Sequence, residues 1–60
     1  MWILKNRATG EYYSESRGHE VFTTKDLLAA RKFISERIAK DHIRSNSIEG
    51  FDIVEMKNNE

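Results

Sequence analysis

The 60-residue sequence contains neither cysteine nor proline, and only three glycines. The absence of cysteine excludes a disulfide scaffold, a thiolate metal site and a cysteine nucleophile. Ten basic and ten acidic residues leave no net charge, which argues against a general phosphate-binding protein. No apolar run approaches the roughly 18 residues needed to span a bilayer, and no segment resembles a signal peptide. We therefore expect a soluble, cytoplasmic protein that makes no membrane contact.

The length predicts a single domain covering residues 1–60. A domain of this size buries only about 60% of the surface that its unfolded chain exposes, so it is marginally stable alone. Small domains usually gain stability from disulfides, metals or oligomerisation. Two histidines without cysteine are too few for a structural zinc site, and we expect no cofactor. Self-association, most simply as a dimer, or a protein partner is the remaining source of stability.

Four apolar or aromatic segments are predicted to form strands. They are Trp2–Lys5, Tyr12–Ser14, His19–Phe22 and Phe51–Met56. Gly10 and Gly18 stand between the first three, as expected for hairpin turns that need a left-handed residue. For the third segment a loop remains an alternative. Residues 57–60 read as a polar tail.

A helix is predicted to start after Thr23 and to run to about Arg44. Thr23 can cap it, Asp26 stands three residues later as in a capping box, and Phe22 with Leu27 can form a hydrophobic staple. No glycine or proline interrupts this stretch. The predicted helix therefore spans about five turns.

The predicted helix is amphipathic. Its apolar side consists of Leu27, Ala30, Ile34 and Ile38, widened by Phe33. Glu36 and Lys40 lie on the other side as a favourable i,i+4 pair. The order β-β-(β)-α-β predicts an α+β domain in which one helix packs on one face of a small antiparallel sheet.

Both faces of the predicted sheet carry apolar or aromatic residues, whereas one helix covers only one face. We expect the second face to contact another copy or a different protein, because exposed apolar patches commonly mark such sites. The candidate partner-binding residues are Trp2, Leu4, Tyr12, Tyr13, Ile53 and Met56.

No combination of residues predicts an enzyme. His19 reads as a turn residue, and His42 reads as a cation that suits the C-terminus of the helix. Glu55-Met56-Lys57 is similar to the acid-x-lysine strand of a nuclease superfamily, but Asp52 is too close in sequence to be the usual second acid. We therefore expect neither a catalytic residue nor a metal site.

Thr9-Gly10-Glu11, Phe22-Thr23-Thr24-Lys25 and Ala29-Ala30 together resemble the N-terminal arm-binding domains of phage-type tyrosine integrases. In that family a three-stranded sheet enters the DNA major groove. The resemblance implies DNA contacts for Lys5, Arg7, Tyr12 and Arg17. The predicted fourth strand departs from this pattern, and the size and style of the chain are similar to those of small phage or prophage accessory proteins.

Two hypotheses follow from the sequence. The first is a non-enzymatic interaction module that self-associates or binds and modulates a host protein. The second is a small DNA-binding protein that reads DNA through its sheet, with Lys5, Arg7 and Arg17 as contacts. Residues 1–25 sum to +1, residues 26–44 to +2 and residues 45–60 to −3, and this separation of charge suits protein complementarity better than phosphate tracking.

Overall fold

The computed structural model describes residues 1–56, so the predicted polar tail at 57–60 lies outside the described residues. Its elements are β1 (Trp2–Asn6), β2 (Tyr12–Arg17), β3 (Glu20–Thr24), a 3-10 turn (Leu27–Ala29), α1 (Glu36–Ser45) and β4 (Phe51–Glu55). The strands form one antiparallel sheet in the order β3-β2-β1-β4, and α1 lies against β1 and β4. The predicted α+β fold is confirmed.

Both predicted hairpin turns form around glycines with positive φ. Gly10 has φ 79° and Gly18 has φ 59°, values that residues with a Cβ rarely adopt. In the first turn the side chain of Asn6 accepts hydrogen bonds from the backbone N–H groups of Ala8 and Thr9. The third strand is confirmed, although it runs Glu20–Thr24 and therefore starts and ends later than predicted.

Strands β1 and β2 pair at only one position, Lys5 with Tyr12, next to their connecting turn. Beyond it the two strands separate, and residues 31–33 enter the fork between them. Phe33 exchanges two backbone hydrogen bonds with Trp2, of 2.7 and 2.8 Å, and the Arg31 N–H donates to the Tyr13 carbonyl at 2.9 Å. This insertion supplies partners for backbone groups that the opened hairpin leaves unpaired.

The predicted start of the helix was wrong. The helix begins at Glu36, where the Ser35 hydroxyl accepts a hydrogen bond from the Ile38 N–H at 3.2 Å. Thr23 lies in β3 instead of capping a helix, and Asp26 caps only the 3-10 turn, by accepting from the Leu28 N–H. The predicted helix end was accurate, since α1 stops at Ser45.

The helix starts late because residues 31–33 form backbone hydrogen bonds with β1 and β2. Residues 31–33 must be extended to pair with Trp2 and Tyr13, and an α-helix through them would use the same N–H groups internally. Lys32 stabilises the alternative, because its ammonium donates to the carbonyls of Leu27, Leu28 and Ala30 at 2.9–3.0 Å. Local helix propensity is weaker than these tertiary contacts.

The core lies between the sheet and α1, and we call this side of the sheet the inner face. Its buried members are Leu4, Tyr13, Phe33, Ala39 and Ile48, with Trp2, Ile43, Phe51 and Ile53 packed around them. Ala39 is the one residue of α1 that is fully buried. The predicted pair of Glu36 and Lys40 is present, with 3.9 Å between the charged atoms.

Replacing Ser35 with Ala is expected to lower the free energy of unfolding by about 1 kcal/mol, because an N-cap oxygen is lost. Ser35→Asp retains a capping oxygen and is the matched control. Urea denaturation of both variants gives the comparison. Equal stability of Ser35→Ala and the wild type would contradict a helix start at this residue.

Candidate interaction surface

The sheet separates the six predicted partner-binding residues into two groups. Trp2, Leu4, Tyr13 and Ile53 belong to the inner-face core, and Leu4 and Tyr13 are 0% and 1% exposed. In the folded monomer Leu4 and Tyr13 are therefore packing residues and not available anchors, whereas Trp2 and Ile53 are half-buried against this core. Tyr12 and Met56 are half-buried and alternate with core residues, which places them on the opposite side, the outer face.

The outer face is partly covered by the chain itself. Lys32 adjoins Phe33 in the extended insertion, so its side chain points to the outer side while Phe33 enters the core. Since Lys32 binds the carbonyls of residues 27, 28 and 30, the 3-10 turn lies on this side as well. Ile3 is only 3% exposed and Ala30 is also buried, yet neither belongs to the core cluster under α1.

Large aliphatic side chains of residues 27–38 remain exposed. Leu28 is 85% exposed and Ile34 is 78% exposed, and Leu27 and Ile38 are exposed to a lesser extent. The sequence pattern predicted Leu27, Ile34 and Ile38 for the buried side of a long helix, and that prediction was wrong. Leu27 and Ile34 precede the helix, which starts only at Glu36, and Ile38 lies in its first turn with an exposed side chain. Ser35 followed by Glu36 was the sequence signal for that start.

Strand pairing places further apolar side chains on the outer face. Val54 pairs with Ile3. Phe22 pairs with Glu15, and this pair lies on the same face of the sheet as the pair of Tyr12 and Thr24. Val54 and Phe22 are both exposed. The outer face therefore presents separated apolar side chains and not a continuous polar surface.

Two arginines beside the outer face are engaged by carboxylates. Arg7 forms an ion pair with Asp52 at 2.8 Å, and Arg17 forms one with Glu15 at 3.0 Å. The Arg17 guanidinium also lies 5.7 Å from the centroid of the Phe22 ring. Of the three basic residues predicted to contact DNA, only Lys5 has no ion pair among the described residues. The structure does not gather these residues into a strongly basic strip.

A hydrogen-bonded circuit joins β2 to the C-terminal half of α1. The Tyr13 hydroxyl donates to Ser16 Oγ at 3.0 Å, Ser16 Oγ donates to Asn46 Oδ1 at 3.4 Å, and Asn46 Nδ2 donates to the His42 carbonyl at 3.0 Å. The same Tyr13 hydroxyl lies 2.7 Å from His42 Nε2. The roles of donor and acceptor in this contact depend on which ring nitrogen of His42 carries the proton.

His42 differs from its predicted role as a cation at the helix end. Its ring packs against Tyr13 and Phe33, with centroids 5.3 and 5.1 Å apart. Burial, and secondarily the positive charge of Arg31, lower the pKa of His42 below its usual 6.5. His42 is therefore a neutral packing residue at pH 7, and no pattern in the sequence links it to Tyr13.

No cavity was found in the part of the chain that the structure describes, and residues 1–56 contain no group of histidine and acidic side chains suited to a metal ion. Among the same residues no helix has the length and apolar character to cross a membrane. Comparison with protein-family models, with curated proteins and with solved structures finds no match to this chain.

Stability is expected to fall as the pH drops through 6.5, the ordinary pKa of histidine, toward the lower pKa of His42 in the folded protein. The unfolded chain takes up a proton at His42 in this range, whereas the folded protein resists protonation, so acid favours unfolding. Above both pKa values His42 is neutral in the folded and the unfolded state, and the stabilisation that it provides is then fully present. Urea midpoints measured across this range test the dependence.

His42→Gln is expected to flatten this pH dependence, because the amide cannot titrate. His19→Gln removes an exposed histidine from the β2–β3 turn and should keep the wild-type dependence. An equal slope in the wild type and His42→Gln would show that His42 does not produce the effect.

Proposed function

We propose that this chain is a small non-enzymatic protein-interaction module, which self-associates or binds and modulates another protein. The observation that supports this most directly is the exposure of Leu28 and Ile34 on either side of the inserted segment. Burying an aliphatic side chain of this size contributes about 1.5–3 kcal/mol, so both residues leave stabilisation unused in the monomer. Contact with a partner would recover it.

The exposure of these aliphatic residues is a consequence of the backbone hydrogen bonds of residues 31–33. The backbone of residues 31–33 is held in the sheet, which prevents Leu28 and Ile34 from joining a single helix face directed at the core. Polar residues at both positions would satisfy the same backbone geometry. Their apolar character therefore supports a role outside the monomer.

The polar groups of the Tyr13 circuit support a structural role over a catalytic one. Tyr13, Ser16, Asn46 and His42 bind one another, and among the described residues no buried side-chain polar atom lacks a partner. A catalytic site needs such groups directed at a substrate. In this circuit they connect β2 with α1.

A small phage or prophage accessory protein is the setting that we propose for this module, with a host protein or a second copy as its partner. The support for this setting is the size and style of the sequence. The exposed side chains described above are compatible with either partner.

DNA binding through the sheet is the second candidate. The order β1-β2-β3 followed by α1 agrees with the three strands and helix of integrase arm-binding domains. Against it, β4 flanks β1, and both Arg7 and Arg17 are engaged by carboxylates. Steep loss of affinity with added salt, and weaker binding by an Arg17→Ala variant, would favour this candidate.

Leu28→Lys and Ile34→Lys are expected to weaken association with the partner by about tenfold or more each, since each removes roughly 1.5–3 kcal/mol of apolar burial. Their folding should be unchanged, because both side chains are exposed. The wild type and the variants would be immobilised and compared for capture from nuclease-treated bacterial extract. Sedimentation of each purified protein would test self-association.

Ser45→Lys is the matched control, because it places a new lysine at an exposed position in the last turn of α1, where a cation suits the helix dipole. Capture that the control retains and both aliphatic variants lose would support the proposal. Capture that depends on neither Leu28 nor Ile34, with no self-association of the wild type, would contradict it. Retention that disappears on nuclease treatment would point to the DNA-binding candidate.

A further inference from the structure

Strand β4 forms one end of the sheet, and its outer edge has no neighbouring strand among the described residues. Two hydrogen bonds fix which of its backbone groups point inward. The Arg7 N–H donates to the Gly50 carbonyl at 2.9 Å, and the Met56 N–H donates to the Met1 carbonyl at 2.7 Å. Since inward and outward groups alternate along an antiparallel strand, residues 50, 52, 54 and 56 point toward β1.

The N–H and C=O groups of Phe51, Ile53 and Glu55 therefore point outward from the sheet. An edge of this kind is a template for another strand unless proline, charged side chains or a bulge protects it. Strand β4 has neither proline nor a bulge and pairs with β1 at five consecutive residues without irregularity, and of its two acidic residues Asp52 is paired with Arg7, which leaves Glu55. The opposite edge strand, β3, lies beside a bulge between Tyr13 and Glu15, and bulges increase local twist.

We propose that a second copy of this chain pairs with β4 in antiparallel orientation, about a two-fold axis at Ile53. The inference rests on the proposed interaction function and specifies one partner for it. In this arrangement Ile53 faces the partner's Ile53 and Phe51 faces the partner's Glu55. The outward groups then form about six hydrogen bonds, and the two sheets become one.

The side chains of β4 are compatible with this register. Asp52 faces the partner's Val54, so no like charges lie directly opposite one another. The Asp52 carboxylate is already neutralised by Arg7 of its own chain. Val54, exposed in the monomer, gains a neighbour on the outer face.

Neighbouring registers are less favourable. An axis at Asp52 places two carboxylates opposite each other, and an axis at Glu55 does the same with two glutamates. An axis at Val54 avoids this repulsion, but it gives only about four hydrogen bonds within the strand. The Ile53 axis is the one that uses the whole of β4.

Cysteine cross-linking tests the register, since the chain has no cysteine of its own. Residues 52 and 54 of opposite copies form a non-hydrogen-bonded pair with Cα atoms about 4.5 Å apart, within the range of a disulfide. Mixing Asp52→Cys with Val54→Cys under mild oxidation should therefore yield a covalent heterodimer. Each variant alone should cross-link at least about tenfold more slowly, because its own two cysteines lie about 7–8 Å apart on the diagonal.

Glu55→Pro tests the hydrogen bonds. The N–H of residue 55 points outward, so proline removes interface donors and leaves the ladder to β1 intact. We expect the dimer to dissociate at about tenfold higher concentration or more in sedimentation equilibrium. Glu55→Gln, which keeps the N–H, should dimerise at least as well as the wild type, and circular dichroism checks that both variants fold.

A wild type that stays monomeric up to about 1 mM, a concentration at which even weak pairing is visible, would overturn the inference. A dimer that gives no mixed disulfide would overturn it as well, because another surface would then form the contact. Leu28→Lys should dimerise normally through β4. If dimerisation fails while Leu28-dependent capture of another protein persists, this inference fails and the proposed interaction function stands.

Discussion

The opened hairpin between β1 and β2 is the constraint on which the rest of the structure depends. The two strands pair only at Lys5 and Tyr12, and residues 31–33 supply the missing partners by entering the fork. Buried backbone groups must be hydrogen-bonded, so this part of the chain cannot be helical. The short α1, the 3-10 turn and the exposed aliphatic residues all follow from that requirement.

The elements that the sequence predicts well are those that depend on local chemistry. Gly10 and Gly18 mark hairpin turns because they adopt positive φ, and the end of the helix before Asn46 is marked by the polar Ser-Asn-Ser run. The alternating strands and the α+β fold follow from the same local signals. Such features need no knowledge of distant residues.

The start of the helix could not be obtained in this way. Thr23 and Asp26 form a plausible capping pair, and the following residues have helical periodicity, yet Phe33 pairs with Trp2 at the other end of the chain. A non-local backbone contact overrides a local propensity of a few tenths of a kcal/mol per residue. The candidate surface changed for the same reason, because Ile34 lies outside the helix that was expected to bury it.

The sequence also did not predict which side chains of each strand face the helix. Strand alternation shows that Tyr12 and Tyr13 point in opposite directions, but it does not show which of them faces α1. In the structure Tyr13 is the one that faces α1, where its ring packs against His42 and its hydroxyl lies 2.7 Å from His42 Nε2. A histidine whose sequence position predicts a surface cation thus packs where the sheet meets the helix.

The position of Trp2 has a consequence for how the molecule opens and closes. Trp2 is hydrogen-bonded to Phe33 on one side and paired with Glu55 on the other, so β1 is enclosed by the middle and the end of the chain. The β1–β2 hairpin cannot complete this arrangement by pairing from its turn alone, because residues 31–33 and β4 must also pack against β1. The amide protons of Trp2 and Phe33 should consequently exchange with solvent together, through cooperative unfolding of the domain and not through fraying of its first strand.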